Sequence, residues 1–283
     1  MSTETTGLGT PESLTDAERE AVEAELRPLA DGEFVLAERY TEWQVQAPTL
    51  ESDLAISNIA QDELGHARLW YDLLEDFGYT EADLIWEASP GEFRHPTLVE
   101  LPFAEGDWAD AIVRGYLYDA YESRHLHALE GTSYPRIADR VGKVLAEEDY
   151  HTQHARNWLS RLCDDEPGRE RVQNALDRLF PYALTLFAET EHEDAIVEMR
   201  IRTESLAAMR GEWLEVVVPR LESLGLSVPA SEDGEVLVDL PDQVGKDGSH
   251  TEHWPELLEE FTRTYRKLEL GEPPRLLEDP NEA

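Results

Sequence analysis

Six acidic residues in this sequence stand three positions before a histidine, a spacing that brings both side chains to one face of a helix. The six pairs are Glu63/His66, Glu92/His95, Glu122/His125, Glu148/His151, Glu189/His192 and Asp247/His250. A helix bundle that carries two such pairs and two further carboxylates can bind two metal ions. Because 62 of the 283 residues are acidic, however, the pair alone is weak evidence, and its context must decide.

Two of the pairs lie in the middle of predicted helices. Glu63/His66 and Glu148/His151 each share their helix face with aliphatic residues and one tryptophan. Three pairs fall in predicted loops or at an acidic helix end: Glu92/His95, Asp247/His250 and Glu189/His192. Glu122/His125 is helical, but Ser and Arg stand between its members, and we expect it to face solvent or a partner.

The two helical pairs repeat with a constant spacing. Glu33 stands 30 residues before Glu63, and Asp119 stands 29 residues before Glu148, each on the preceding long helix. Two helical hairpins that each supply a carboxylate and a Glu-x-x-His pair match a di-iron or di-manganese bundle. The predicted metal ligands are Glu33, Glu63, His66, Asp119, Glu148 and His151.

A structural network remains the alternative for these acids. A buried carboxylate needs a partner, and arginines from neighbouring helices could serve in place of a metal. Asp119 in particular has Tyr118, Tyr121 and Arg114 close by in the sequence. His154 is expected near the site or on the surface, and the single Cys163 is expected to be a buried, inert thiol.

The periodicity of apolar residues predicts an all-α chain. The expected helices are 16–27, 30–46, 50–77, 81–87, 107–130, 135–163, 169–190, 201–223 and 254–268. The first two are separated because Pro28 and Gly32 favour a break, and Thr15 is the expected N-cap. Residues 15–270 would form one helical domain between tails at 1–14 and 271–283, with a loop and a small hairpin in 225–250.

The composition limits the possible functions. A net charge of −38 disfavours nucleic acid and anionic membranes as partners. No apolar stretch is long enough to span a membrane, and the N-terminus does not resemble a signal peptide, so we expect a cytoplasmic protein. One cysteine excludes an internal disulfide. The acidic, lysine-poor composition, with three lysines, indicates a source that lives in concentrated salt.

The motif QDELGHAR at 61–68 resembles a motif of the phenylacetyl-CoA epoxidase family, which epoxidises the ring of phenylacetyl-CoA during aerobic phenylacetate breakdown. Further similar segments are 46–50, 108–110, 179–187, 218–226 and 245–253. The last of these, GKDGSHTEH, resembles the C-terminal signature of the C-type subunit. The resemblance extends over about residues 30–270.

This resemblance implies a ferritin-like four-helix bundle with additional C-terminal helices. In the family, the A-type subunit binds the di-iron centre and the substrate, and the paralogous C-type subunit supports it, usually without metal ligands. The present chain retains residues at all six ligand positions. The resemblance therefore implies a subunit that carries iron, receives electrons from a separate flavin/iron–sulfur reductase and assembles with an A-type partner. The alternatives are a metal-free structural subunit and a ferritin-type iron oxidase or storage protein.

Overall fold

The structure, a computed structural model, describes residues 7–44, 46–103, 107–229 and 238–268. Within these ranges the secondary structure is helical and contains no strand, as predicted. The helices are α1 (Asp16–Thr41), α2 (Leu50–Glu75), α3 (Thr97–Glu100), α4 (Trp108–Leu129), α5 (Pro135–Leu162), α6 (Glu166–Leu184), α7 (Glu193–Glu198), α8 (Leu206–Ser223) and α9 (Trp254–Leu268). A π-helical turn covers Ala82–Trp86.

Four long helices build the bundle that surrounds the candidate site. The α1 and α2 helices pack against each other as one hairpin, the α4 and α5 helices form a second, and α2 also contacts α5. Each of the four is 22 to 28 residues long, which at about 1.5 Å per residue spans roughly 33–42 Å. The α6 and α8 helices then pack on α4. The predicted all-α bundle with additional C-terminal helices is confirmed.

The first helix differs from the prediction, because α1 is continuous from Asp16 to Thr41 instead of breaking near Pro28 and Gly32. Its N-terminus is fixed as expected by Thr15, whose side chain accepts a hydrogen bond from the Glu18 amide in a capping box. Pro28 is buried inside the helix, so tertiary packing outweighs the hydrogen bond that it cannot donate. Gly32 leaves room for the Tyr118 side chain, since a Cβ at position 32 would lie 2.9 Å from the Tyr118 hydroxyl.

The C-terminal segment is attached to the bundle through residues 90–101. Gly245 has φ +75, and a Cβ at this position would lie 2.1 Å from the His95 carbonyl oxygen. The Glu100 carboxylate accepts hydrogen bonds from His95 (2.7 Å) and from the backbone amide of Thr251 (2.6 Å), and it lies 2.8 Å from Nδ1 of His250. These contacts position the start of α9 against the rest of the protein.

Three further expectations concern the tails and the loop. Residues 7–14 of the predicted N-terminal tail are placed, and the Leu8 amide donates a hydrogen bond to the Ser133 carbonyl. The predicted tail at 271–283 and most of the predicted hairpin, at 230–237, lie outside the described residues. In the part of the chain that the structure describes, none of the helices has both the length and the hydrophobicity needed to cross a membrane.

Candidate metal centre

Each of the four long helices turns acidic or histidine side chains towards the middle of the bundle. The α1 helix contributes Glu33, α2 contributes Glu63 and His66, α4 contributes Glu122, and α5 contributes Glu148 and His151. All six side chains are buried, with at most 1 % of each residue exposed. Spacings of three residues on α2 and on α5 place each glutamate and its histidine on the same inward face.

These side chains form two groups of possible metal ligands that share one residue. In the first group, one donor atom from each of Glu33, Glu63, His66 and Glu122 lies within 4.8 Å of the others. In the second group, the same holds for Glu63, Glu148 and His151. Because Glu63 belongs to both, its carboxylate is placed between two positions that could each hold a cation.

The structure brings five of the six residues predicted from the sequence together in these groups, and the sixth lies outside them. Asp119 is buried but belongs to neither group, whereas Glu122, one helical turn later, belongs to the first. The expectation that Glu122 and His125 face solvent or a partner is wrong, since they are 1 % and 2 % exposed. His125 instead lies 2.6 Å from Glu25 in a separate buried network. The three-residue offset between Asp119 and Glu122 places both on one face of α4, so spacing alone could not separate them.

The ligand atoms of the two groups lack hydrogen-bond partners. Both carboxylate oxygens of Glu63, Glu122 and Glu148 are buried without one, as are Nδ1 of His66 and Nδ1 of His151. Nδ1 of His151 lies only 2.9 Å from Glu148 Oε1, but the two groups are not oriented as donor and acceptor. Buried polar atoms without partners are costly. Their convergence therefore fits a cation that would accept their lone pairs, and carboxylate and imidazole ligands suit iron or manganese.

Arginine does not compensate these acids. Among the described residues, no arginine forms a hydrogen bond or ion pair with Glu33, Glu63, Glu122 or Glu148. Arg114, the cation that the sequence analysis named beside Asp119, donates instead to Asp110 and to the backbone carbonyls of Leu98, Val99, Leu101 and Pro102. The arginine pairing considered from the sequence is therefore not formed around these four glutamates.

Both histidines are oriented by an acid of the opposite helix. Nε2 of His66 lies 2.8 Å from Oε2 of Glu147 on α5, and Nε2 of His151 lies 3.4 Å from Oδ2 of Asp62 on α2. Each contact turns the other ring nitrogen, Nδ1, towards the centre of the bundle. Such outer carboxylates fix the tautomer of a metal-binding imidazole. The sequence analysis missed both residues, although each directly precedes the glutamate of a Glu-x-x-His pair.

Burial and the surrounding charges shift the pKa values of the clustered groups in opposite directions. Burial, only partly offset by His66, raises the pKa of Glu33 to about 8. Burial also acts on Glu148, but the nearby imidazoles of His151 and His66 outweigh it and lower the pKa of that carboxyl to about 2. The pKa of Asp119 is raised well above its ordinary value by burial and by the charge of Glu148. Burial and the neighbouring carboxylate therefore favour the protonated form of Asp119.

Aromatic side chains enclose the centre. The Trp70 indole donates a hydrogen bond of 2.8 Å to Oε1 of Glu33. A Cβ on Gly115 would lie 2.9 Å from the Tyr40 hydroxyl and 3.9 Å from Oδ2 of Asp119, so the bare glycine provides the space for this tyrosine. Tyr40 and Trp70 are at most 3 % exposed. The cluster therefore lies in a dry environment in which electrostatic interactions are strong.

Two predictions for single residues can also be compared with the structure. Cys163 is buried and free, as expected, and burial raises the pKa of its thiol. His154 is half-buried, and its Nε2 has no hydrogen-bond partner. Burial and the neighbouring His151 lower the pKa of His154 to about 4. His154 belongs to neither of the two donor groups, which share Glu63.

Comparisons with known proteins identify relatives over almost the whole chain. The family described as "Phenylacetic acid catabolic protein" matches residues 6–272. The C-type subunit of 1,2-phenylacetyl-CoA epoxidase from Escherichia coli (strain K12) is 31 % identical over 243 residues, which cover 85 % of this chain and 94 % of the relative.

Proposed function

The chain belongs to the phenylacetic acid catabolic protein family, as a member of the C type, and we propose that it is a subunit of a 1,2-phenylacetyl-CoA epoxidase that carries its own carboxylate-bridged di-iron centre. The substrate and the complex are those in the name of its E. coli relative. The metal centre is supported by one observation above all, the two groups of buried donor atoms that share Glu63.

We assign the ligands by the two groups. Glu33, Glu63, His66 and Glu122 would hold one iron, and Glu63, Glu148 and His151 would hold the other. In this assignment Glu122 takes the place that the sequence analysis gave to Asp119. Iron bound there would reduce and split O₂ with electrons from a separate flavin/iron–sulfur reductase, and the protein contributes ligand geometry and a dry site.

Residues around the ligands have supporting roles. Asp62 and Glu147 hold the two imidazoles so that Nδ1 faces inward. Burial favours the protonated form of Asp119, whose Oδ1 has no partner in the protein. That proton would be available next to Glu148 and Glu63. Tyr40 and Trp70 exclude water from the same space.

A metal-free structural subunit is the competing function, because C-type members of the family usually lack the ligands. That function would leave Glu63 and Glu148 with only the imidazoles of His66 and His151 as cations, and it would leave the Glu122 carboxyl buried without a partner, which is energetically costly. A ferritin-type storage protein is less suitable, since α6 and α8 pack on α4 and add a layer outside the bundle. Membership in an epoxidase family supports the oxygenase complex instead.

The turnover rate of the assembled complex distinguishes a catalytic metal centre in this chain from a purely structural role of the chain. The complex would be reconstituted with the wild-type chain or with its Glu63→Ala/Glu148→Ala variant, and the assembly checked by sizing. We expect the variant complex to assemble but to convert phenylacetyl-CoA more slowly, because the centre in this chain has lost its ligands. If turnover is unchanged while the metal of this chain is absent, the chain is a structural subunit.

A further inference from the structure

The indole of Trp70 lies beside one of the candidate metal ligands. Trp70 is on α2, four residues after His66 and seven after Glu63, so these three residues share the inward face of the helix. Trp70 is completely buried, and its Nε1–H donates a hydrogen bond of 2.8 Å to Oε1 of Glu33 on α1. The contact therefore joins the two helices of the first hairpin at a candidate ligand.

This hydrogen bond distinguishes Trp70 from two other tryptophans that are equally buried. The indoles of Trp213 and Trp254 donate to backbone carbonyls, at 3.3 Å and 3.0 Å respectively. A buried indole N–H usually finds an acceptor, and a backbone carbonyl is sufficient for that purpose. A glutamate that also binds a metal is a different kind of acceptor, because the donor then decides which carboxylate oxygen remains available to the metal.

The two carboxylate oxygens of Glu33 have different surroundings. Oε1 accepts the hydrogen bond from the indole, whereas Oε2 is buried and has no hydrogen-bond partner among the described residues. An indole carries a single N–H and can only donate. It therefore holds the carboxylate in one orientation and leaves Oε2 as the oxygen that can meet a cation.

The second hairpin has no donor at the corresponding position. The 85-residue step that relates the two Glu-x-x-His pairs leads from Trp70 to Ala155, which is also buried. The methyl group of Ala155 cannot donate a hydrogen bond. Both oxygens of Glu122, the carboxylate that α4 supplies to the site, accordingly lack a partner within the described ranges. The helices α1 and α4 thus supply one carboxylate that is held by a donor and one that is not.

We propose that Trp70 is a positioning residue of the metal centre, which restricts Glu33 to binding a metal through Oε2 alone. This inference rests on the proposed di-iron function. Glu122, whose oxygens are both free, can bind through either oxygen or through both. Hydrogen bonds to metal ligands commonly change metal affinity by about 10- to 100-fold. Loss of the indole N–H should therefore weaken iron binding, although Trp70 itself would not touch the metal.

A glutamine at position 33 tests the orientation that Trp70 imposes. The side chain of Glu33→Gln has one oxygen that accepts and one NH₂ group that donates. While Trp70 is present, the amide oxygen must accept from the indole, so the NH₂ group faces the metal position. In the double variant with Trp70→Phe the amide can turn and offer its oxygen to the metal.

The effect of Trp70→Phe should therefore change sign with the residue at position 33. We expect Trp70→Phe to weaken iron binding about tenfold when Glu33 is present. In the Glu33→Gln background we expect the same substitution to strengthen iron binding about threefold or more. A tryptophan that only fills space would weaken iron binding in both backgrounds.

Iron(II) affinity of the full-length variants is measured without oxygen by competition with a chelator, and circular dichroism confirms that each variant is folded. Trp254→Phe removes an equally buried indole N–H, which donates to the Pro90 carbonyl at the start of α9, and should leave iron affinity unchanged. Equal affinities for Trp70→Phe and the wild type, or a loss in both backgrounds, overturn the proposal while the metal centre stands. A wild-type chain that binds no iron overturns the di-iron function and this inference with it.

Discussion

His66 lies between two adjacent acids of the opposite helix: its Nε2 is 2.8 Å from Glu147, and its Nδ1 is 3.4 Å from Glu148. His151 is held in the same way on the other side of the bundle, with Asp62 at 3.4 Å from Nε2 and Glu63 at 3.5 Å from Nδ1. The outer acid of each pair orients the ring; of the two inner acids, Glu63 belongs to the same donor group as His151, whereas Glu148 belongs to the group next to that of His66. The two hairpins thus complete each other's sites.

The outer acids, Asp62 and Glu147, should therefore control the affinity of the site for metal without binding the metal themselves. For Glu147→Gln we expect iron affinity to fall about 10- to 100-fold, because the neutral amide supports the His66 ring less strongly. Competition with a chelator measures this effect. Asp139→Asn, which removes an exposed charge from the same helix, is the control and should leave affinity unchanged. Equal iron affinities for the two variants would show that Glu147 does not support metal binding.

Glu122 and Asp119 should differ in their effect on metal content. Glu122→Ala removes a ligand from the first group only, so we expect the iron content to fall from about two to about one per chain. Asp119→Asn keeps the shape of a protonated side chain that belongs to neither group, and we expect close to two irons. Mass spectrometry of the purified variants gives both ratios. The reverse result would return Asp119 to the ligand set.

Most residues of this candidate site could be predicted from the sequence, and the reason is physical. A spacing of three or four residues places side chains on one helix face, so Glu63/His66 and Glu148/His151 were recognisable from position alone. The choice between Asp119 and Glu122 was not, because both lie on the same face of α4 and only the packing of α1 and α2 determines which reaches the other ligands. The continuity of α1 through Pro28 has the same origin in tertiary packing.

Gly245 should be essential for attaching the C-terminal segment. Gly245→Ala places a side chain at φ +75 and directs its Cβ to 2.1 Å from the His95 carbonyl oxygen. We expect the free energy of unfolding to fall by about 2 kcal/mol or more, as measured by urea denaturation. Gly91→Ala is the control, since a Cβ there meets nothing within 4 Å. Similar stabilities for the two variants would contradict the close approach.

The His95 cluster should make stability depend on pH. Burial lowers the pKa of His95 to about 4 from an ordinary 6.5, and the hydrogen bond to Glu100 offsets this only in part. The unfolded chain therefore binds a proton between pH 6.5 and 4 that the folded chain does not, so stability falls as the pH is lowered through this range, by at most about 3 kcal/mol.

Comparison with His95→Gln isolates this contribution, because the amide can still donate to Glu100 but does not titrate. We expect the urea midpoint of the wild type to fall more between pH 7 and pH 4.5 than that of the variant. Parallel pH profiles would show that His95 does not titrate as described. The sequence analysis placed His95 and His250 in loops, which is correct, but burial by the returning C-terminal segment is a long-range effect that local spacing cannot reveal.

The metal content of the purified chain tests the central claim most directly. The protein would be produced in iron-replete medium together with its Glu63→Ala/Glu148→Ala variant, and iron per chain determined by mass spectrometry. The two donor groups that share Glu63 predict about two irons per wild-type chain and none in the variant. A well-folded wild-type protein without bound metal would contradict the di-iron assignment and leave a structural subunit.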